Sequence, residues 1–130
     1  MEAIADFTVA ILIEPKMTQA YVNRGAIRSL VRNPQGAIDD YNIAIRIEPN
    51  EPMPYFNRGC IRGTLKDYEG AITDYDKVIS MNPAWVANVY FNRGLAKIEI
   101  GQKEGCCLDL HKAVELGQKP ALLAIIKYCK

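Results

Sequence analysis

Apolar residues recur along this chain at intervals of three and four, the spacing of one helix face rather than the alternation of a half-buried strand. Ala37, Ile38, Tyr41, Ala44 and Ile45 form one such stripe. Proline cannot continue a helix interior, so Pro49 and Pro83 close helices, and the polar stretch after Pro49 suits a turn. Further breaks fall at Asn33 and Pro34, at Lys66 and Asp67, and at Gly101 and Gln102. The pattern predicts helices near 2–14, 17–31, 35–47, 53–65, 68–81, 85–100, 103–116 and 120–129. That is an all-α antiparallel stack.

The blocks also repeat. YVNRG at Tyr21 returns as YFNRG at Tyr55 and again at Tyr90, which places Gly25, Gly59 and Gly94 34 and then 35 residues apart. Between them run AIADFTVAILIEP from Ala3, AIDDYNIAIRIEP from Ala37 and AITDYDKVISMNP from Ala71. A degraded fourth copy, CCLDLHKAVELG from Cys106, keeps Leu108, Asp109, Ala113 and Val114 in register. The additional residue of the longer interval lies between Pro83 and Tyr90, where a turn and a helix start tolerate insertion. Self-similarity at this period is the signature of a stacked-repeat architecture.

Composition narrows the function. With 130 residues, 49% hydrophobic and 24% charged, the chain can bury a core and is one domain, not a disordered tail. Its formal charge of +1 offers no long-range attraction to nucleic acid or to an anionic membrane. Asp6, Glu14 and Lys16 interrupt the N-terminal apolar run, so no segment approaches a membrane span, and no signal peptide is visible. Cys60, Cys106, Cys107 and Cys129 show neither C-x-x-C spacing nor a disulfide framework, so reduced thiols and a cytoplasmic setting are expected. The chain starts within a repeating unit, which also fits a piece of a longer protein.

The 34-residue period, with small residues at Gly25, Ala37 and Ala44 and a closing proline at Pro49, resembles the tetratricopeptide repeat family. Gly59, Ala71, Val78 and Pro83 continue the match, as do Gly94, Cys106 and Ala113, with Gln118 replacing the last proline. The resemblance implies a right-handed α-solenoid divided into a half repeat at 2–15 (second helix only), repeats at 16–49, 50–83 and 84–118, and a capping helix at 119–130. It also implies a protein-interaction module. One departure stands out: the family's usual Leu before the glycine is Arg24, Arg58 and Arg93.

An arginine inside a helix pair requires an acid beside it. Asp40, Asp74 and Asp109 each follow their arginine by 16 residues, which predicts three structural ion pairs within hairpins, with Arg28, Arg62 and Lys97 as second cations. An anion-binding stripe is the functional alternative.

The family's inner surface is lined by the first helix of each repeat. Carried onto this chain, that orientation gives a partner-binding groove of Val22, Asn23, Ala26, Phe56, Asn57, Cys60, Phe91, Asn92, Leu95 and Ile98, with Ser29 and Gly63 further along. Asparagine amides offer a donor and an acceptor to a peptide backbone, and family members use an asparagine ladder in this phase. The family's clamp for acidic tails is not expected, because Val22 and Ala26 occupy its polar positions. A second reading is homodimerisation through Ile4, Phe7 and Ile11, which lack a preceding helix. No catalytic or metal-ligating cluster is apparent, and no cofactor is implied; His111 is the sole histidine. Leu122, Leu123, Ile125 and Ile126 suit a helix covering the last hairpin.

Overall fold

A computed structural model describes residues 2–14 and 17–130. Met1, Pro15 and Lys16 lie outside the described residues, and with them the expected junction between half repeat and first repeat. Among the described residues eight helices follow one another: α1 (Glu2–Ile13), α2 (Thr18–Leu30), α3 (Pro34–Ile47), α4 (Pro52–Thr64), α5 (Tyr68–Met81), α6 (Val86–Glu99), α7 (Lys103–Glu115) and α8 (Ala121–Tyr128). There is no strand among the described residues, and no described helix is long and apolar enough to cross a membrane.

Local chemistry sets the boundaries. Asn33 and Asp67 cap α3 and α5, their Oδ1 atoms accepting from the Gly36 and Gly70 amides at 3.1 Å. Pro34 and Pro52 occupy the first helical turn, where a missing amide is harmless. The turns inside the hairpins pass through the left-handed region at Arg32, Lys66 and Gly101, with φ of 60°, 67° and 81°.

Each helix packs on the next in sequence, and α2 also touches α4, as α4 touches α6. Small residues allow the close approach: Ala37, Ala44, Ala71, Val78, Cys106 and Ala113 are fully buried. Gly59 has no room for a side chain, since an added Cβ would lie 2.8 Å from Tyr75 Cε1.

A polar seam runs through the stack. Arg24 Nη2 lies 2.7 Å from Asp40 Oδ1, Arg58 Nη2 2.7 Å from Asp74 Oδ1, and Arg93 Nη2 2.8 Å from Asp109 Oδ1. All three aspartates are buried. Arg28, Arg62 and Lys97 supply a second cation to the same carboxylates. The remaining guanidinium nitrogen, Nη1, donates backwards to Thr8, Asn42 and Asp76 on the second helix of the preceding unit. One arginine therefore ties three helices together. Each guanidinium also lies over the ring of Tyr21, Tyr55 or Tyr90, 5.4 to 5.7 Å from its centre.

Two expectations need correction. Cys107 and Cys129 form a disulfide, their Cα atoms 5.7 Å apart. Packing of α8 on α7 brings together two cysteines 22 residues apart, a separation that carries no motif. Cys60 and Cys106 are free thiols. The last helix also covers less than expected: Ala121, Ala124, Ile125 and Tyr128 face the final hairpin, whereas Leu122, Leu123 and Ile126 stay exposed.

Candidate ligand groove

Packing α2 beside α4 and α4 beside α6 aligns the first helices of successive hairpins. Two cavities open along that row. One, of about 420 Å³, lies between α4 and α6 and reaches Tyr128 at the end of α8; its lining includes Cys60, Gly63, Asn92, Leu95, Ile98 and Glu99. The other, of about 290 Å³, lies between α2 and α4 and includes Ala26, Ser29, Leu30, Asn57 and Cys60. Cys60 borders both, so the two form neighbouring parts of one groove.

The sequence-derived groove residues divide. Ala26, Asn57, Cys60, Asn92, Leu95 and Ile98 border the cavities. Val22, Phe56 and Phe91 do not. Val22 is buried beside Tyr21 and Ile61, Phe56 meets Trp85 edge-on at 5.1 Å, and Phe91 packs toward Leu110 and Ala113. Val22 and Phe56 point toward the following layer and Phe91 toward the cluster built from α7 and α8, where an apolar side chain gains more than at an open wall. Asn23 accepts from Gln19 Nε2 at 2.9 Å and borders neither cavity.

Polar atoms at the groove floor are held in neutral form. Burial pushes the Cys60 thiol above its ordinary value, opposed by neighbouring Tyr75 and Asn92, whose Nδ2 lies 3.6 Å from Cys60 Sγ. Burial likewise raises the Tyr75 phenol, and pushes Tyr41 up to about 12 against the opposing effect of Asn57. A thiol held protonated is a weak nucleophile, so the floor offers hydrogen bonding rather than covalent chemistry. On the seam, the hydrogen bonds to Asp40 and Asp109 raise Arg24 and Arg93, overcoming the opposite effect of burial.

The sequence pattern missed Tyr41, Tyr75, Tyr68, Glu99 and Tyr128. Tyr41 and Tyr75 repeat 34 residues apart, a usable signal, but they lie on second helices, which the family orientation assigns away from the groove. Ile4, Phe7 and Ile11 are half-buried toward α2; the open apolar positions on α1 are instead Val9, Leu12 and Ile13.

Residues 54–84 match the family model of the tetratricopeptide repeat. The fold is shared with solved structures. A crystal structure of MamA protein is 25% identical, aligned over 92% of this chain and 65% of its own, with a TM-score of 0.82. YrrB, described as a TPR protein with an unusual peptide-binding site, is 20% identical over 86% of this chain and 57% of its own, at 0.79. The Arabidopsis OM64 TPR domain is 20% identical over 85% of this chain and 93% of its own, at 0.80. The chain thus spans just under two thirds of the length of the MamA structure. No curated protein gives a match.

Proposed function

We propose that this tetratricopeptide-repeat solenoid is a protein-interaction module whose groove binds an extended or helical segment of a partner protein. The observation that carries this reading is the pairing of Asn57 and Asn92 with two adjoining cavities of largely apolar lining. An amide beside an apolar recess can pair with a peptide backbone while the recess takes a side chain. The hairpins around it are fixed by buried ion pairs, so the groove is preorganised and little ordering cost falls on the module itself. The peptide-binding site named for YrrB, on the same fold, supports the reading.

The test is affinity capture with the folded chain, followed by mapping of the bound segment and of its footprint on the module by amide exchange. A segment that protects α4 and α6 and is released by Asn57→Ala with Asn92→Ala is the expected result. Capture that survives both substitutions and leaves the groove unprotected would sink the proposal.

A second reading is self-association through the solenoid ends, favoured by Leu12, Ile13 and Leu123, which are 76%, 79% and 74% exposed. Sedimentation of the wild type against Leu12→Glu with Ile13→Glu decides it. A concentration-dependent dimer abolished by the pair supports the reading, and a wild-type monomer at all concentrations removes it.

A further inference from the structure

We propose that the cavity between α4, α6 and the end of α8 receives a basic side chain of the partner segment, lysine or arginine, with its alkyl stem over Gly63, Leu95 and Ile98 and its cation at Glu99. This rests on the groove reading and names the chemistry of one of its subsites. Three observations carry it.

The first is charge. Glu99 is the one charged residue bordering this cavity, it is exposed, and no ion pair or side-chain hydrogen bond reaches it among the described residues. Nearby Lys97 is committed to Asp109 on the seam, at 3.0 Å. A cation arriving here meets a carboxylate with no ion pair and no positive residue on the lining itself; Lys127 is held beside it, its Nζ over the Tyr128 ring 5.1 Å from its centre. The companion cavity around Ala26 and Asn57 has no charged lining at all, so the preference is a property of this cavity rather than of the whole groove.

The second is aromatic. Tyr68, Tyr75 and Tyr128 border the same space, and because Lys127 already lies over the Tyr128 ring, Tyr68 and Tyr75 are the phenols left to a ligand. Phenol rings present a negative face and their oxygens accept hydrogen bonds, and both favour a cation over an anion. The long stem of lysine or arginine suits a lining that combines the apolar Leu95, Ile98 and Ala96 with those tyrosines.

The third is Gly63. A glycine within a helix is destabilising relative to alanine, and packing normally explains it, as at Gly59 one turn earlier. At Gly63 a Cβ would meet only Ala71 Cβ, at 3.9 Å, an ordinary contact. Its backbone is helical, so no left-handed conformation requires glycine either. What the missing side chain does provide is open space on the cavity wall, where a ligand stem can lie against the helix backbone.

The experiment is a nitrogen-15 NMR titration of the whole chain with three probes: N-acetyl-lysine N-methylamide, the norleucine analogue that keeps the stem without the cation, and the glutamate analogue. The lysine probe is expected to shift the amides of Gly63, Leu95 and Glu99 and to bind roughly threefold to fivefold tighter than norleucine, as a partly exposed ion pair allows. Glu99→Gln is expected to abolish that preference and Gly63→Val to weaken both probes, with Gly63→Ala as a milder variant that keeps the helix. Equal binding of lysine and norleucine, a lysine preference that survives Glu99→Gln, tightest binding of glutamate, or no shift with lysine each overturns the proposal. A mapped partner segment that protects the groove without lysine or arginine in this cavity overturns it while leaving the groove reading intact; failure of any segment to protect the groove overturns both.

Discussion

The seam and the groove are built from the same helices, yet their polar groups are in opposite states. Arg58 spends Nε and Nη2 on Asp74 and Nη1 on Asn42, and its plane rests over Tyr55. Each of its three nitrogens already has a partner within the fold. Along the groove, Asn92 has a long 3.6 Å contact to the Cys60 thiol and neighbours the Tyr75 phenol, and Glu99 has no ion pair among the described residues. Residue type would have pointed the other way, because a stripe of arginines looks more like a binding site than a few asparagines do. What separates a structural polar group from a recognising one is how much of its bonding capacity the fold already uses.

The largest expected effect lies on the seam. Asp74→Ala leaves Arg58 and Arg62 facing a site from which the carboxylate has gone, and should cost about 3 to 5 kcal/mol in urea unfolding. Replacing the carboxylate together with both of its cations, Arg58→Met and Arg62→Met with Asp74→Leu, should recover much of that loss. A triple variant as unstable as Asp74→Ala would show that the arginines are needed for more than their acid.

Next comes the groove floor in alkali. Tyr41 has a folded pKa pushed up to about 12 from 10.0, so its contribution is complete below pH 10 and is lost as pH rises towards 12, when the unfolded phenol ionises first. A shift of that size corresponds to about 3 kcal/mol, and Tyr41→Phe should flatten this part of the stability profile between pH 10 and 12. Parallel profiles for the two proteins would remove the assignment.

Two glycines on α4 sharpen the contrast further. Gly59→Ala presses a methyl into the Tyr75 ring and should destabilise by about 1 to 3 kcal/mol. Gly63→Ala has room and should stabilise by about 0.5 to 1 kcal/mol. Thermal melts of the pair test this directly, and equal signs would contradict it.

The smallest effect on stability belongs to Asn57→Ala and Asn92→Ala. Each is expected within about 1 kcal/mol of wild type, as befits groups with few internal bonds. A loss as large as that of Asp74→Ala would place these amides with the seam instead.

Much of the architecture was legible because it repeats. Helical spacing, the prolines and the small residues recur at a fixed period, and the eight helices observed begin and end within a residue or so of the positions the pattern predicts. The 16-residue phase of arginine and aspartate was readable for the same reason. Thr8, Asn42 and Asp76 occupy one phase too, but three different residue types hide it. Val22, Phe56 and Phe91 were expected at the groove from the family's orientation, and only packing shows them in the buried clusters instead. Glu99 and Tyr128 belong to no repeated column that singles them out, and the Cys107–Cys129 bond depends on where α8 docks. Recurrence made the scaffold readable, and the individual departures from it lie where the site acquires its character.

The disulfide gives this nearly symmetric stack a direction. In a solenoid each layer is steadied by its neighbours, so opening starts at whichever end is looser and spreads layer by layer. At one end, among the described residues, α1 packs mainly on α2, to which the Thr8 hydroxyl adds a contact with Arg24. At the other, a covalent loop closes α7 and α8 together. Hydrogen exchange should therefore be faster in α1 than in the cross-linked α7 and α8, and reduction of the bond should narrow that difference.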